Sequence, residues 1–117
     1  MIDQYHWSYS GGGTRRPRHE AAIRNMLTDI VRVIDMTAIA APVGYIAAFG
    51  DWHGFQLIAE SHISLHGRTG RVEVDVFSCK PFDAHSVAVL LFGWMGGRWV
   101  VRRLRASADE GETWAYP

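Results

Sequence analysis

The chain has one cysteine, Cys79, no net charge, and no apolar run long enough to cross a bilayer. A single thiol excludes an intrachain disulfide framework and suits a reducing compartment. Twelve basic residues balance twelve acidic ones, which removes any bulk electrostatic attraction to nucleic acid or to an anionic membrane. A charge near zero also does little to hold copies apart, and so favours self-association. The longest apolar stretches lie around Met36 to Phe49 and Val87 to Met95, short of the roughly 20 residues a spanning helix needs. Met1-Ile2-Asp3-Gln4 lacks the basic and apolar run of a signal peptide. No internal repeat is evident. The expectation is a soluble, cytoplasmic domain with no nucleic-acid or membrane partner.

Apolar residues make up 48% of the 117 and charged residues 21%, the balance of one globular domain. It is expected to span 1–106, followed by a mobile acidic tail, 107–117, carrying Asp109, Glu110 and Glu112. Tyr5, Trp7 and Tyr9 alternate with Gln4, His6 and Ser8, the period of a half-buried strand. Gly11-Gly12-Gly13 is expected to break that strand as a flexible connection, since it lacks the Gly-Lys-Ser/Thr ending of a phosphate loop. Arg15, Arg16 and Arg18 around Pro17 read as a solvated helix entry. From His19 to Met36, Ile23, Met26, Leu27, Ile30, Val31 and Ile34 recur at three and four, which predicts an amphipathic helix. Pro42 and Gly44 limit residues 37 to 49 to a short strand plus irregular chain. Residues 50 to 54 read as a turn.

The clearest alternation follows. Phe55, Leu57, Ala59, Ile63 and Leu65 are apolar at odd positions, with Gln56, Glu60, His62, Ser64 and His66 between them. After Gly67-Arg68-Thr69-Gly70 the parity swaps to Val72, Val74 and Val76. A hairpin that pairs His66 with Arg71 sets Leu65 against Val72 and Ile63 against Val74 on an apolar face. Ser64 then meets Glu73 and His62 meets Asp75 on a polar one. Asp83 caps a second helix with a stripe of Val87, Leu90, Leu91 and Trp94, stopped by Gly96-Gly97. Trp99 to Leu104 is a last strand, with Val100 and Val101 expected to be buried. The order of elements predicts an α+β fold, a two-layer sandwich with an antiparallel sheet and two helices on one face.

The helices need only the apolar face. The other face gathers His62, Ser64, His66, Glu73, Asp75 and Cys79, and three chemistries can use that set. His62 and His66 with Asp75 or Glu73 have the residue types of a zinc site, though no His-Glu-x-x-His motif is present. Cys79 with a histidine is a candidate thiolate nucleophile. Ser61 with His66 is a candidate nucleophile and base, without a Gly-x-Ser-x-Gly elbow.

A fourth reading comes from resemblance. Glu60-Ser61-His62-Ile63-Ser64-Leu65-His66, followed by Val74-Asp75-Val76-Phe77-Ser78-Cys79, resembles the signature of the prokaryotic S-adenosylmethionine decarboxylases, the pyruvoyl-dependent enzymes of spermidine synthesis. The core of the match covers residues 55 to 80, and the length and order of elements also fit. The resemblance implies cleavage between Glu60 and Ser61. The serine hydroxyl attacks the Glu60 carbonyl, the ester eliminates to dehydroalanine, and hydrolysis leaves a covalent pyruvoyl cofactor at residue 61. That ketone forms a Schiff base with the substrate amine and acts as the electron sink for decarboxylation. By the same resemblance His66 assists processing and Cys79 returns a proton; no metal ligand set is expected from the residues. It also implies a homodimer that covers the open sheet face, a four-layer αββα arrangement.

The sequence departs from that family in two places. Where many members continue after the histidine with Thr-Trp-Pro-Glu, whose glutamate holds a ribose, this chain has the shorter Gly67-Arg68-Thr69-Gly70. Where the family has Gly-Val-Ser-Gly, this chain has Asp51-Trp52-His53-Gly54, so His53 is the candidate replacement for a serine that assists processing. Tyr45 and Phe49 are candidates to stack on an adenine. Glu73 and Asp75 are candidates to pair with a guanidinium or ammonium group. The substrate expected is S-adenosylmethionine, with arginine or ornithine as the alternative, and an unprocessed binding relative as the reading outside enzymes. Strand parity sets one further expectation. Ser61 falls on the apolar face with Ile63 and Leu65, opposite His66 and Cys79, so the chain must kink or bulge between Glu60 and His62, or residue 61 must swing across after cleavage.

Overall fold

The computed structural model describes residues 5–104 and 113–117. In chain order it contains β1 (Tyr5–Thr14), α1 (Glu20–Val33), β2 (Val43–Ile46), β3 (Trp52–Ile58), β4 (Ser61–Arg68), β5 (Gly70–Ser78), α2 (Ala84–Met95), β6 (Arg98–Leu104) and β7 (Thr113–Tyr116). The strands form one antiparallel sheet in the order β2-β3-β4-β5-β1-β6-β7.

Helix α1 buries Ile23, Met26, Leu27, Ile30 and Val31, the stripe its spacing predicts. Helix α2 buries Ala84, Val87, Ala88, Leu91 and Met95, a stripe rotated from the expected one, with Leu90 and Trp94 at its margin. Both lie on the sheet face that carries Tyr9, Ile63, Leu65, Val72, Val74, Val76, Trp99 and Val101. The carboxylate of Asp83 accepts from the backbone N–H groups of His85 and Ser86 at 3.0 and 3.3 Å and from the Ser86 hydroxyl at 2.7 Å. The Ser86 hydroxyl bond, followed by its N–H, holds the Asp83 carboxyl below its usual range. Tyr9 donates its hydroxyl to the Ala84 carbonyl at 3.0 Å, and burial pushes that phenol far above its ordinary range.

Several expectations are corrected. The triple glycine does not break β1, which continues to Thr14. A Cβ at Gly11 would meet the Trp99 ring at 2.8 Å, so the missing side chain makes room for a neighbouring indole. The turn expected at residues 50 to 54 lies earlier, where Gly50 N–H bonds to the Ala47 carbonyl, and Trp52, His53 and Gly54 belong to β3. The stretch from Phe55 to His66 is two strands, with a tight turn at Ala59-Glu60. Ile58 pairs with Ser61, so even positions of β3 share a face with odd positions of β4. Phe55 and Leu57 are therefore on the open face, each 42% exposed, while Ile58, Ile63 and Leu65 are core.

The β4–β5 hairpin forms with the expected faces but with its register shifted by two. His66 lies opposite Glu73, Ser64 opposite Asp75 and His62 opposite Phe77. Arg68 faces Arg71 across a Thr69-Gly70 turn, and Gly70 carries the positive φ of 72° that such turns give to glycine. On β6, Val101 is buried and Val100 is exposed, as strand alternation requires. Thr113–Tyr116, expected as part of a mobile tail, is strand β7 paired with β6. Trp114 and Tyr116 anchor it by packing on His85 and Phe92 of α2. The rest of that expected tail, 107–112, lies outside the described residues.

Candidate active site

The face away from the helices can be followed across the strands. One row runs Tyr45, His53, His66, Glu73, Ser10. The next runs Val43, Phe55, Ser64, Asp75, Ser8, and the third Leu57, His62, Phe77, His6. Adjacent strands are about 4.8 Å apart, so rings in a row touch. Ring centroids lie 4.4 Å apart for His53 and His66, 4.4 Å for His62 and Phe77, and 3.7 Å for Phe77 and His6. Tyr45 stacks on His53 at 6.4 Å, and Phe55 reaches His62 at 5.5 Å. His6 Nε2 is 2.8 Å from Asp75 Oδ1, and Ser10 donates to Glu73 at 2.6 Å.

The third row ends at the Ala59-Glu60 turn. A neighbouring segment steadies this turn, because Ala59 N–H bonds to the Thr37 carbonyl at 3.1 Å and Ile39 N–H to the Leu57 carbonyl at 3.2 Å. Glu60 has φ 61°, a left-handed conformation that costs a residue with a Cβ about 1–2 kcal/mol. Ser61 follows, 8% exposed, and its Oγ has no hydrogen-bond partner among the described residues. Leaving a buried hydroxyl unsatisfied costs a further 1–3 kcal/mol or so. Two unfavourable features thus sit on consecutive residues. A cavity of about 460 Å³ opens beside them, lined by Leu57, His62 and Phe77 of the open face together with Ile39, Ile58, Glu60 and Ser61.

Cys79 reaches the same turn from β5. The Ser78 hydroxyl accepts from Lys80 N–H at 3.2 Å and donates to the Lys80 carbonyl at 2.7 Å, a local turn that ends the strand. This leaves Cys79 Sγ 3.9 Å from the Ala59 carbonyl oxygen. Ser61 and Cys79 therefore flank one turn. His66 stands five residues along β4 from Ser61, about 16 Å at 3.3 Å per residue, on the opposite face. Tyr45, His53, Glu73 and Asp75 share the open face with His66, whereas Phe49 is 96% exposed in the connection from β2 to β3.

His62 and His66 lie in different rows, and among the described residues no three His, Cys, Asp or Glu side chains converge as a metal site. His6, Ser10, Phe55 and Phe77 are residues of this face that the sequence reading does not pick out, and His62 enters that reading only as a zinc candidate. The alternation of β1 does place His6, Ser8 and Ser10 on one face, but only the pairing of β1 with β5 brings them to Asp75 and Glu73. A second cavity, of about 510 Å³, lies at the start of α2 between Trp7, Phe82, Asp83, His85 and Trp114, away from every expected site residue.

No helix of the described chain is long and apolar enough to cross a membrane. A search of curated protein sequences gives no match. Among solved structures, the adenosylmethionine decarboxylase from Aquifex aeolicus VF5 is similar in fold, with a TM-score of 0.71 at 21% identity over 95% of this chain and 98% of that one. The family described as S-adenosylmethionine decarboxylase matches residues 7–103. The match spans most of the chain, from β1 to β6, and includes the Glu60-Ser61 turn and Cys79, so the chain belongs to the S-adenosylmethionine decarboxylase family.

Proposed function

We propose that the chain is a pyruvoyl-dependent decarboxylase that cleaves itself between Glu60 and Ser61 and then acts on S-adenosylmethionine. The observation that carries this reading is the pairing of a left-handed Glu60 with a buried, unpartnered Ser61 hydroxyl beside a cavity. The residues fit the group. Ser61 Oγ has no competing hydrogen bond to hold it, and the strain at Glu60 is relieved when its carbonyl leaves the amide. Oγ attacks the Glu60 carbonyl carbon, the C–O bond forms, and the C–N bond breaks as nitrogen takes the hydroxyl proton. Removal of the Cα proton of residue 61 then expels the Glu60 carboxylate from Cβ. Water adds to the resulting dehydroalanine, ammonia leaves, and a ketone remains at residue 61.

The pyruvoyl group supplies an electron sink for the electrons released with carbon dioxide. Around it, Cys79 is the candidate to deliver a proton, since its thiol is already aimed at the turn and a cysteine's reference pKa of about 8.5 lies within reach of neutral pH. Leu57, His62 and Phe77 give the cavity an apolar and aromatic wall. Asp75 and Glu73, the carboxylates that a guanidinium substrate would need, are engaged by His6 and Ser10 and do not line the cavity. That favours S-adenosylmethionine over arginine or ornithine.

The open sheet face, with exposed Val43, Tyr45, Phe55, Leu57 and Val100, is the surface a second copy would cover in a four-layer αββα dimer. Within one protomer His66 is too far along β4 to serve its own Ser61. In that dimer His66 of the partner subunit is the candidate to assist cleavage, with the partner's His53 beside it. Release of carbon dioxide from S-adenosylmethionine, arginine and ornithine by the purified protein tests the reading. Turnover of S-adenosylmethionine alone is expected. Turnover of none, by a chain that has been cleaved, overturns the substrate.

A further inference from the structure

One row of the open face lies beyond those of the candidate site. Arg68 pairs with Arg71, Arg71 with Gly12, and Gly12 with Arg98, so alternation puts three arginines in one line across β4, β5, β1 and β6. Like charges directly opposite each other on a sheet are destabilising, yet Arg68 and Arg71 face each other across a turn. A carboxylate within ion-pair distance is found for Arg68 alone, where Asp51 Oδ2 is 3.9 Å from Nε. Arg71 and Arg98 have none among the described residues. The carboxylate of the neighbouring row, Glu73, already accepts from Ser10.

Between Arg71 and Arg98 the row holds Gly12, and nothing lies within 4 Å of where its Cβ would be. The two arginines stand two strand spacings apart, about 10 Å, across open surface. Guanidinium forks carried on long side chains from the two outer strands can converge on one tetrahedral or planar oxyanion between them. Arg68 lies in, and Arg71 beside, the Gly67-Arg68-Thr69-Gly70 segment where this chain departs from the family signature.

We propose that Arg68, Arg71 and Arg98 form a binding site for an oxyanion, a phosphate or carboxylate group, seated over Gly12. The site lies seven residues along β4 from Ser61, about 23 Å, beyond the reach of a small substrate held in the same protomer's cavity. The anion is therefore either a free ligand or a group on a molecule that enters from a facing copy. The site does not require cleavage at Ser61, so the test is made on the uncleaved Ser61→Ala chain as well as on the wild-type protein.

The probe is inorganic phosphate, against chloride at equal ionic strength, read by thermal unfolding. Phosphate at ten times its Kd is expected to raise the Tm by about 5 °C. Arg71→Gln and Arg98→Gln should each remove most of that shift, while Arg102→Gln, exposed on the same face but two rows away in line with Ser8 and Asp75, should leave it. No shift with phosphate, or a shift that persists in Arg71→Gln, overturns the site. An Arg71→Gln change that loosens self-association without altering the phosphate response also overturns it, since the arginines would then be meeting carboxylates of a second copy. Where phosphate competes with S-adenosylmethionine and Arg71→Gln raises KM at constant kcat, the anion is part of the substrate's surroundings. Where phosphate shifts the Tm without inhibiting, it is a separate ligand.

Discussion

β4 begins and ends in a two-residue hairpin turn, and the two turns are built differently. Thr69-Gly70 puts glycine where φ is 72°, and Ala59-Glu60 puts glutamate where φ is 61°. Glycine adopts that conformation without steric cost, whereas a residue with a Cβ does not. One turn therefore reverses the chain cheaply, and the other stores strain beside a serine whose hydroxyl has no partner. Strained backbone persists where the surrounding structure holds it, and it gathers at functional sites. The bonds from residues 37 to 39 supply that restraint at Ala59-Glu60. The proposed cleavage rests on that difference between two otherwise similar hairpins.

The largest effect that separates them is on cleavage. Ser61→Ala is expected to leave the chain uncut with stability unchanged or slightly raised, because an unpaired buried hydroxyl is removed. His66→Ala should also stay uncut. Co-expression of the two variants should restore cleavage of the His66→Ala chain, which meets an intact His66 of the partner subunit in mixed dimers. Denaturing gels of the mixture read this directly, and a mixture that stays wholly uncut places His66 in its own chain's site. Cys79→Ala should still be cleaved but release carbon dioxide at least a hundredfold more slowly or thereabouts, measured on the processed enzyme.

Smaller effects fall on stability. Gly70→Ala is expected to cost about 1–2 kcal/mol by denaturant unfolding with the rate of cleavage unchanged. Asp83→Ala should cost about 1 kcal/mol as a lost helix cap. Because the folded state lowers the Asp83 carboxyl from its ordinary 3.8, its contribution is complete above that value and is lost as pH falls through the lower folded value. Melting curves taken downward from pH 6 should show wild type losing this increment in acid and Asp83→Ala having none to lose. The smallest change is Glu60→Gly, which relieves the left-handed strain and should stabilise the uncut chain by up to about 1 kcal/mol. Its signature is slower cleavage in a more stable precursor, and faster cleavage would break the link between strain and reactivity.

What the sequence disclosed follows from the strength of its periods. Helix α1 is legible because its core residues are spaced at three and four with charges opposite. The faces of β4 and β5 are legible because a register slip of two keeps every side chain on its own side, and for the same reason the slip itself is invisible. The β3–β4 hairpin is hidden because Phe55 and Leu57 continue the odd apolar alternation of Ile63 and Leu65 while facing the other way, and because Ala59-Glu60 carries none of the usual turn residues. Parity sets Ser61 opposite His66 and Cys79, and a kink or bulge is expected between Glu60 and His62. The chain instead reverses one step earlier, at Ala59-Glu60, with Ser61 and His62 in regular register, and that turn meets Cys79 but not His66. The Gly11–Trp99 contact and the pairing of His6 with Asp75 join residues far apart in sequence, and only the sheet order reveals them.

Denaturing mass spectrometry of the freshly purified protein tests the central claim most directly. Two chains are expected, 1–60 with a free carboxylate on Glu60 and 61–117 lighter than a serine start by the mass of one ammonia. A single chain of 117 residues that persists on incubation, with Ser61 intact, would contradict the account.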